Sequence, residues 1–393
     1  MKITVSLIVR LFFLTALFVL AVGGCFNMRI MEGAEESTLG RYFVIFVYLL
    51  WLCSLLKIFL PNYAIYKPAL PIILYAIFIL WTIFPTMMSG QEGMVYNLFF
   101  ITLPGVVLIS TYNTVLNNGN HKWYLAAFCV MMAMFTVQYV MVFNFVNIFD
   151  NDSSHLAASY YTLYILPLVF LCKSKTIRIV ATIVATIVII SSLKRSGVVA
   201  IVLAIFVYVI TNQYIKKKLT PTAILGMLII LILFGLFFFV FASMGDETVI
   251  ERFENIGNDN GSGRLVVWEM TSKMISRLDF GNLLIGEGYN SVLPNSPVNL
   301  SAHNDFLEII YDYGLIGFAL YVCAFLSVCF YTVKMVASKS LYAPSMAMLL
   351  VIYLIQSMIS HIIIYYWASL FMLSFSYMIG NYQRDASNNA SNR

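Results

Sequence analysis

The stretch IRIVATIVATIVIISSLKRSGVVAIVLAIFVYVI, residues 177–210, consists of two apolar runs joined by Lys194-Arg195-Ser196-Gly197. Each run is continuously aliphatic where a barrel strand would alternate. It therefore reads as a helix, whose backbone hydrogen bonds are all internal, as lipid demands. The same texture appears at 4–24, 42–60, 68–88, 95–111, 124–146, 156–172, 222–244, 314–336, 345–361 and 363–380. Composition agrees: 61% of the 393 residues are hydrophobic, 10% are charged, and the mean hydropathy is +0.88. An ordinary soluble domain is roughly one quarter charged. Eighteen acidic and 23 basic residues are too few to cover a soluble globule of this size, so the apolar surplus faces lipid. The expected fold class is all-α, a single polytopic membrane domain over 1–393 with about twelve transmembrane helices. Soluble, disordered, nucleic-acid-binding and disulfide-scaffold classes are excluded.

Pro71, Pro85, Pro104 and Pro167 lie inside these runs and predict kinks. The six cysteines, Cys25, Cys53, Cys129, Cys172, Cys323 and Cys329, show no paired spacing and read as packing residues. Val22-Gly23-Gly24-Cys25 has the form of a lipoprotein cleavage site, but Arg10 interrupts the apolar run, which favours a retained first helix.

Placing the N-terminus in the cytoplasm puts Lys57, Lys67, Lys122, Lys173, Lys175, Arg178, Lys216 to Lys218, Lys334, Lys339, Arg384 and Arg393 on inner loops. The outer loops then hold Arg29, Arg41, Lys194 and Arg195. This asymmetry sets the orientation, with both termini cytoplasmic. Acidic residues fall on the outer side, including Glu32, Glu35, Glu36, Glu92, Asp150, Asp152 and most of those between Asp246 and Asp312. Carboxylates contribute little to orientation, so a polar outer face suggests outward-facing chemistry, with ordinary solvated loops as the alternative.

The one long polar segment, residues 245–302, forms an outer loop of functional length. Within it Val267, Met270, Met274 and Leu278 recur at helical spacing opposite Glu269, Lys273, Ser276 and Arg277. That pattern describes an amphipathic helix at the membrane surface. The loop re-enters the membrane through SAHNDFLEIIYDYGLIG, residues 301–317. His303 and Asn304 stand at a helix mouth, and Asp305, Glu308 and Asp312 share one face. Gly314 and Gly317 permit close approach of another helix. A carboxylate stripe entering lipid is costly unless it lines a cavity, although Asp305 and Glu308 also suit a helix N-terminus. Lys194-Arg195 places cations where the positive-inside rule disfavours them, which suggests an anion site beside Ser196 and Gly197. Arg264 follows Gly261-Ser262-Gly263 at a helix start and is a second candidate anion ligand. A rival metal-dependent reading starts from Asp150-Asn151-Asp152 with His155. His121 and His361 have no partner at ligand spacing.

Taken together, the His303-Asn304 pair followed by Gly314-x-x-Gly317, the Gly263-Arg264-x-x-x-Trp268 helix start and Lys194-Arg195-Ser196-Gly197 resemble the O-antigen ligase and O-antigen polymerase superfamily over residues 191–331. The resemblance implies an inverting, metal-independent glycosyltransferase of the GT-C type with no cofactor. Its donor would be an undecaprenyl-diphosphate-linked glycan, used at the periplasmic face of the bacterial inner membrane. It implies that Arg195 and Arg264 hold the diphosphate and that His303 activates the acceptor hydroxyl. Asn304, Asp305 and Glu308 would contact the acceptor or orient the histidine. Polymerisation of repeat units is the expected activity, because the compact acidic loop offers few cations to a phosphate-rich core acceptor. Ligation to lipid A core is the alternative. A lipid-linked glycan transporter would show a basic central path and two matching halves, and neither is visible. Membrane lipid, a chain-length regulator and a flippase are candidate partners.

Overall fold

The computed structural model describes residues 5–30, 38–55, 67–90, 94–119, 122–142, 159–192, 194–217, 264–360, 362–363 and 367–391, with isolated positions 221, 225 and 235. The run at 222–244, the Gly261-Ser262-Gly263 turn, the Asp150 to His155 loop, His121, His361 and the side chain of Arg195 lie outside the described residues. Every regular element described is helical. In chain order these are α1 (Val5–Ile30), α2 (Thr38–Leu55), α3 (Leu70–Met88), α4 (Met94–Asn118), α5 (Lys122–Val142), α6 (Ser159–Val169), α7 (Lys175–Ser191) and α8 (Arg195–Ile215). After the outer loop come α9 (Arg264–Ser276), α10 (Phe280–Ile285), α11 (Val292–Asn295), α12 (Asp305–Ala337), α13 (Ala343–Ile359) and α14 (Ala368–Ser391).

Five of these helices are long and apolar enough to cross a membrane: α3, α4, α5, α8 and α12. Shorter apolar segments run over Leu7–Gly23, Ile45–Leu55 and Ala343–Ile359. This is a polytopic membrane architecture. The described part of α6 covers 11 residues. All of its side chains are buried, as expected of a helix apolar on every side and enclosed by protein. Tyr161 stacks on Phe135 of α5 with centroids 5.1 Å apart and meets Trp367 edge-on at 5.6 Å, while Tyr164 tilts against Phe371 of α14 at 4.6 Å. α6 is thus a central post, and the N-terminal end of its described part carries Tyr160.

One local expectation changes. Pro71 occupies the first turn of α3, where no backbone N–H is missed, and so does not kink it; Pro85, Pro104 and Pro167 do lie inside helices. The polar C-terminal tail continues α14 as far as Ser391. That helix is held by Gln383, which pairs with the Tyr112 hydroxyl of α4 and donates from Nε2 to the carbonyl of Lys67 at 3.2 Å.

Candidate functional site

The acidic motif and the apolar run that follows it form one helical element, α12, broken at Gly314. Gly314 has φ +68° and ψ −177°, a conformation open essentially to glycine alone. Such a break frees the carbonyls of the preceding turn, and each one is taken up. Glu287 N–H donates to Tyr311 O at 3.0 Å, Gly288 N–H to Asp312 O at 2.8 Å, and Trp81 Nε1 to Tyr313 O at 3.0 Å. The segment that supplies the first two lies so close that a Cβ on Gly314 would collide with the carbonyl of Leu284, and one on Gly286 with that of Asp312. The glycine at 314 therefore seats the segment around residues 284–288 against the broken helix. The expected helix–helix approach is confined to Gly317, which faces Trp81 of α3.

Asp305, Glu308 and Asp312 are fully buried, and each carboxylate gathers N–H groups from a different segment. Asp312 accepts from Asn290 at 2.9 Å, Ser291 at 3.0 Å and Val292 at 3.3 Å, at the head of α11. Asp305 accepts from Ile362 at 2.7 Å and Ile363 at 3.2 Å, beyond the end of α13. Glu308 accepts from Ala302 at 2.6 Å and from the backbone of His303. Asn304 caps α12 by accepting from Phe306 and Leu307 at 3.0 and 3.3 Å, and its amide donates to Met358 O at 3.2 Å. These bonds offset part of the cost of burying the three carboxyl groups, and they draw three segments onto the start of α12.

His303 sits at the centre of this arrangement with φ +52°, in the left-handed region. A non-glycine residue there carries strain and persists only where its surroundings hold it; Glu308 and the Asn304 cap do so on either side. Burial first, then the positive charges of Arg264 and Lys194, push the His303 imidazole down from 6.5 to about 4. Its ring is therefore neutral at physiological pH, with a nitrogen lone pair able to take a proton.

Arg264 reaches this position because α9 packs its Val267 and Thr271 face inward, and Met274, Ile275 and Leu278 rest on the cluster of Val292, Ala302 and Tyr311. The opposite face carries the exposed Glu269–Lys273 pair at 2.6 Å. The charge of Arg264 also reaches the hydroxyl of Tyr160. Tyr160 in turn bonds Ser196 Oγ at 2.6 Å in the first turn of α8. Lys194 occupies the N-cap of α8 without a side-chain capping bond, and Arg195 is the first residue of that helix. The structure thus gathers Lys194, Arg264, Tyr160, Ser196 and His303, with Arg195 at the same helix start. Cations beside a neutral imidazole suit an anionic leaving group and a hydroxyl nucleophile.

One comparison bears directly on this arrangement. Residues 180–322 match the family model described as O-antigen ligase. Over that stretch the chain is similar to the O-antigen ligase family. The match begins within α7, contains Lys194, Arg195, Arg264 and His303, and ends within α12 beyond the Gly314 break. The superfamily resemblance seen in the motif holds there, and the match points to an enzyme of membrane glycan biosynthesis. No curated protein matches the chain. Tyr160 and Ser196 were not among the sequence candidates: Tyr160 is one of 25 tyrosines and has no distinguishing spacing. Ser196 enters the sequence reading only as a neighbour of the cationic pair.

Within the matched stretch, Glu308→Gln tests whether the turn at His303 needs a carboxylate. The amide keeps one acceptor but introduces a buried N–H₂ without a designed partner. Leaving a buried donor unsatisfied costs roughly 1–3 kcal/mol, so the turnover of the purified protein is expected to fall about tenfold, with substrate KM unchanged. Wild-type turnover in this variant would remove Glu308 from any positioning role.

Proposed function

We propose that the protein polymerises undecaprenyl-diphosphate-linked oligosaccharide repeat units, of O-antigen or capsular type, at the periplasmic face of the inner membrane. The observation that carries this reading is the neutral His303 held beside Arg264 and Lys194. As the bond from the anomeric carbon to the diphosphate breaks, negative charge develops on the leaving oxygen. Fixed guanidiniums stabilise that charge in place, and the planar fork of arginine engages two oxygens together. The acceptor hydroxyl gives its proton to His303 as it attacks from the opposite face of the sugar, so the anomeric configuration inverts. Bound diphosphate offsets the charges of Arg264 and Lys194, which removes part of what depresses the imidazole. His303 therefore becomes more basic once the donor is in place.

The family description itself favours a second reading, ligation of the glycan to lipid A core. The two readings separate on a gel of surface glycans from a deletion strain complemented with wild type, Arg195→Ala, Arg264→Ala or His303→Ala. Polymerisation predicts core carrying a single repeat unit in the deletion, with the ladder restored by wild type alone. Bare core with long lipid-linked chains accumulating identifies ligation and refutes the polymerase reading.

A further inference from the structure

We propose that Ser196 donates a hydrogen bond to the diphosphate of the lipid-linked donor and that Tyr160 is the positioning residue that aims it; this rests on the reading of the site as a polyprenyl-diphosphate glycosyltransferase. The two hydroxyls are 2.6 Å apart and both are buried, at 6% and 7% exposure. A serine hydroxyl has one proton and two lone pairs. When Tyr160 donates to Ser196 Oγ, the serine proton is left to a second acceptor, and hydroxyls joined in a chain polarise one another.

The surroundings say where that acceptor lies. Ser196 is in the first turn of α8, whose leading N–H groups have no helical carbonyl to bond. Lys194 and Arg195 immediately precede it in sequence. On its other side the Tyr160 hydroxyl lies within range of the Arg264 charge. The hydroxyl pair thus stands between the two cationic elements that the proposed function assigns to one diphosphate. It adds a neutral donor that leaves the pH response of His303 unaltered.

Tyr160 is also held too firmly to be a passive filler. Its ring stacks on Tyr164 with centroids 6.1 Å apart and 8° between planes. A Cβ on Gly197 would stand 3.1 Å from Tyr160 Cε1 and 3.1 Å from Ile189. With the ring pinned between α6 and α8, the phenol oxygen is fixed and so is the rotamer of Ser196 that meets it. Loss of the phenol oxygen frees Ser196 to turn its proton back onto its own helix, as serine does when no better acceptor is aligned.

The test measures binding of radiolabelled polyprenyl diphosphate to the purified full-length protein. The proteins compared are wild type, Tyr160→Phe, Ser196→Ala, the double variant and Ser196→Thr. Tyr160→Phe and Ser196→Ala are each expected to weaken binding about tenfold, as for one bond to a charged acceptor. The double variant should be no weaker than the worse single one, because both substitutions remove the same bond, and Ser196→Thr should recover most of the affinity. Melting temperatures alongside wild type show that the variants are folded. Variants that bind like wild type, or a double variant whose loss is the product of the single losses, overturn this proposal alone. A wild-type protein that fails to bind polyprenyl diphosphate overturns the functional reading beneath it.

Discussion

Replacing His303 by alanine is expected to lower the turnover of the purified protein by about 10²-fold or more, with little change in substrate KM. In the proposed mechanism the side chain takes the acceptor proton, and the cations proposed to hold the diphosphate remain in the variant. The pH profile carries the sharper signature. Because burial and the charges of Arg264 and Lys194 push His303 down to about 4, the free protein keeps a neutral imidazole down to that pH. The acid limb of kcat/KM, which reports the free enzyme, is therefore expected well below the ordinary histidine value of about 6.5. The limb of kcat, which reports the substrate complex, should lie higher, since bound diphosphate offsets the same cations. Arg264→Ala removes one depressing charge and should shift the kcat/KM limb upward while weakening substrate binding. Rates on a synthetic polyprenyl-diphosphate oligosaccharide across the acid range check all three statements. A wild-type kcat/KM limb at the ordinary histidine value, unmoved by Arg264→Ala, would contradict the geometry around His303.

Much of that geometry was visible in the residues before any coordinates. Lys194-Arg195 between two apolar runs marked the start of α8, and the spacing of Val267 and Met274 marked α9. The His303-Asn304 pair marked the mouth of α12. What stayed hidden depended on partners remote in sequence. The carboxylate stripe read as the wall of a cavity, because spacing on one helix says nothing about what faces it. In the structure, Asp312 is bonded to N–H groups 20 to 22 residues earlier and Asp305 to N–H groups 57 and 58 residues later. The Gly314-x-x-Gly317 spacing fitted helix packing equally well, since glycine suits both a close helix contact and a left-handed break. Tyr160 was illegible for a related reason: its role comes from α6, α8 and α9 meeting, which no local pattern records.

Gly314→Ala is expected to be the most disruptive single substitution in the described part of the chain. An alanine at φ +68° and ψ −177° occupies a region where side chains are strained by up to about 3 kcal/mol. Its methyl group would also meet the carbonyl of Leu284, and backbone at that distance cannot turn aside as a flexible side chain can. Two escapes are open, and both dismantle the site. The segment around Leu284 can move off, which breaks the bonds from Glu287 and Gly288 and pulls at the Asn290 to Val292 cradle around Asp312. Alternatively α12 can straighten through position 314, which reclaims the carbonyls of Tyr311, Asp312 and Tyr313 and swings the helix mouth away from Arg264. In either case His303 loses its place while the distant contacts of α4 with α14 persist. The expected result in detergent is a clear drop in melting temperature, together with loss of protection from proteolysis near residues 284–292 and loss of activity. Wild-type melting with full activity would mean that α12 runs unbroken through Gly314, and the account of how the outer loop is seated would fall with it.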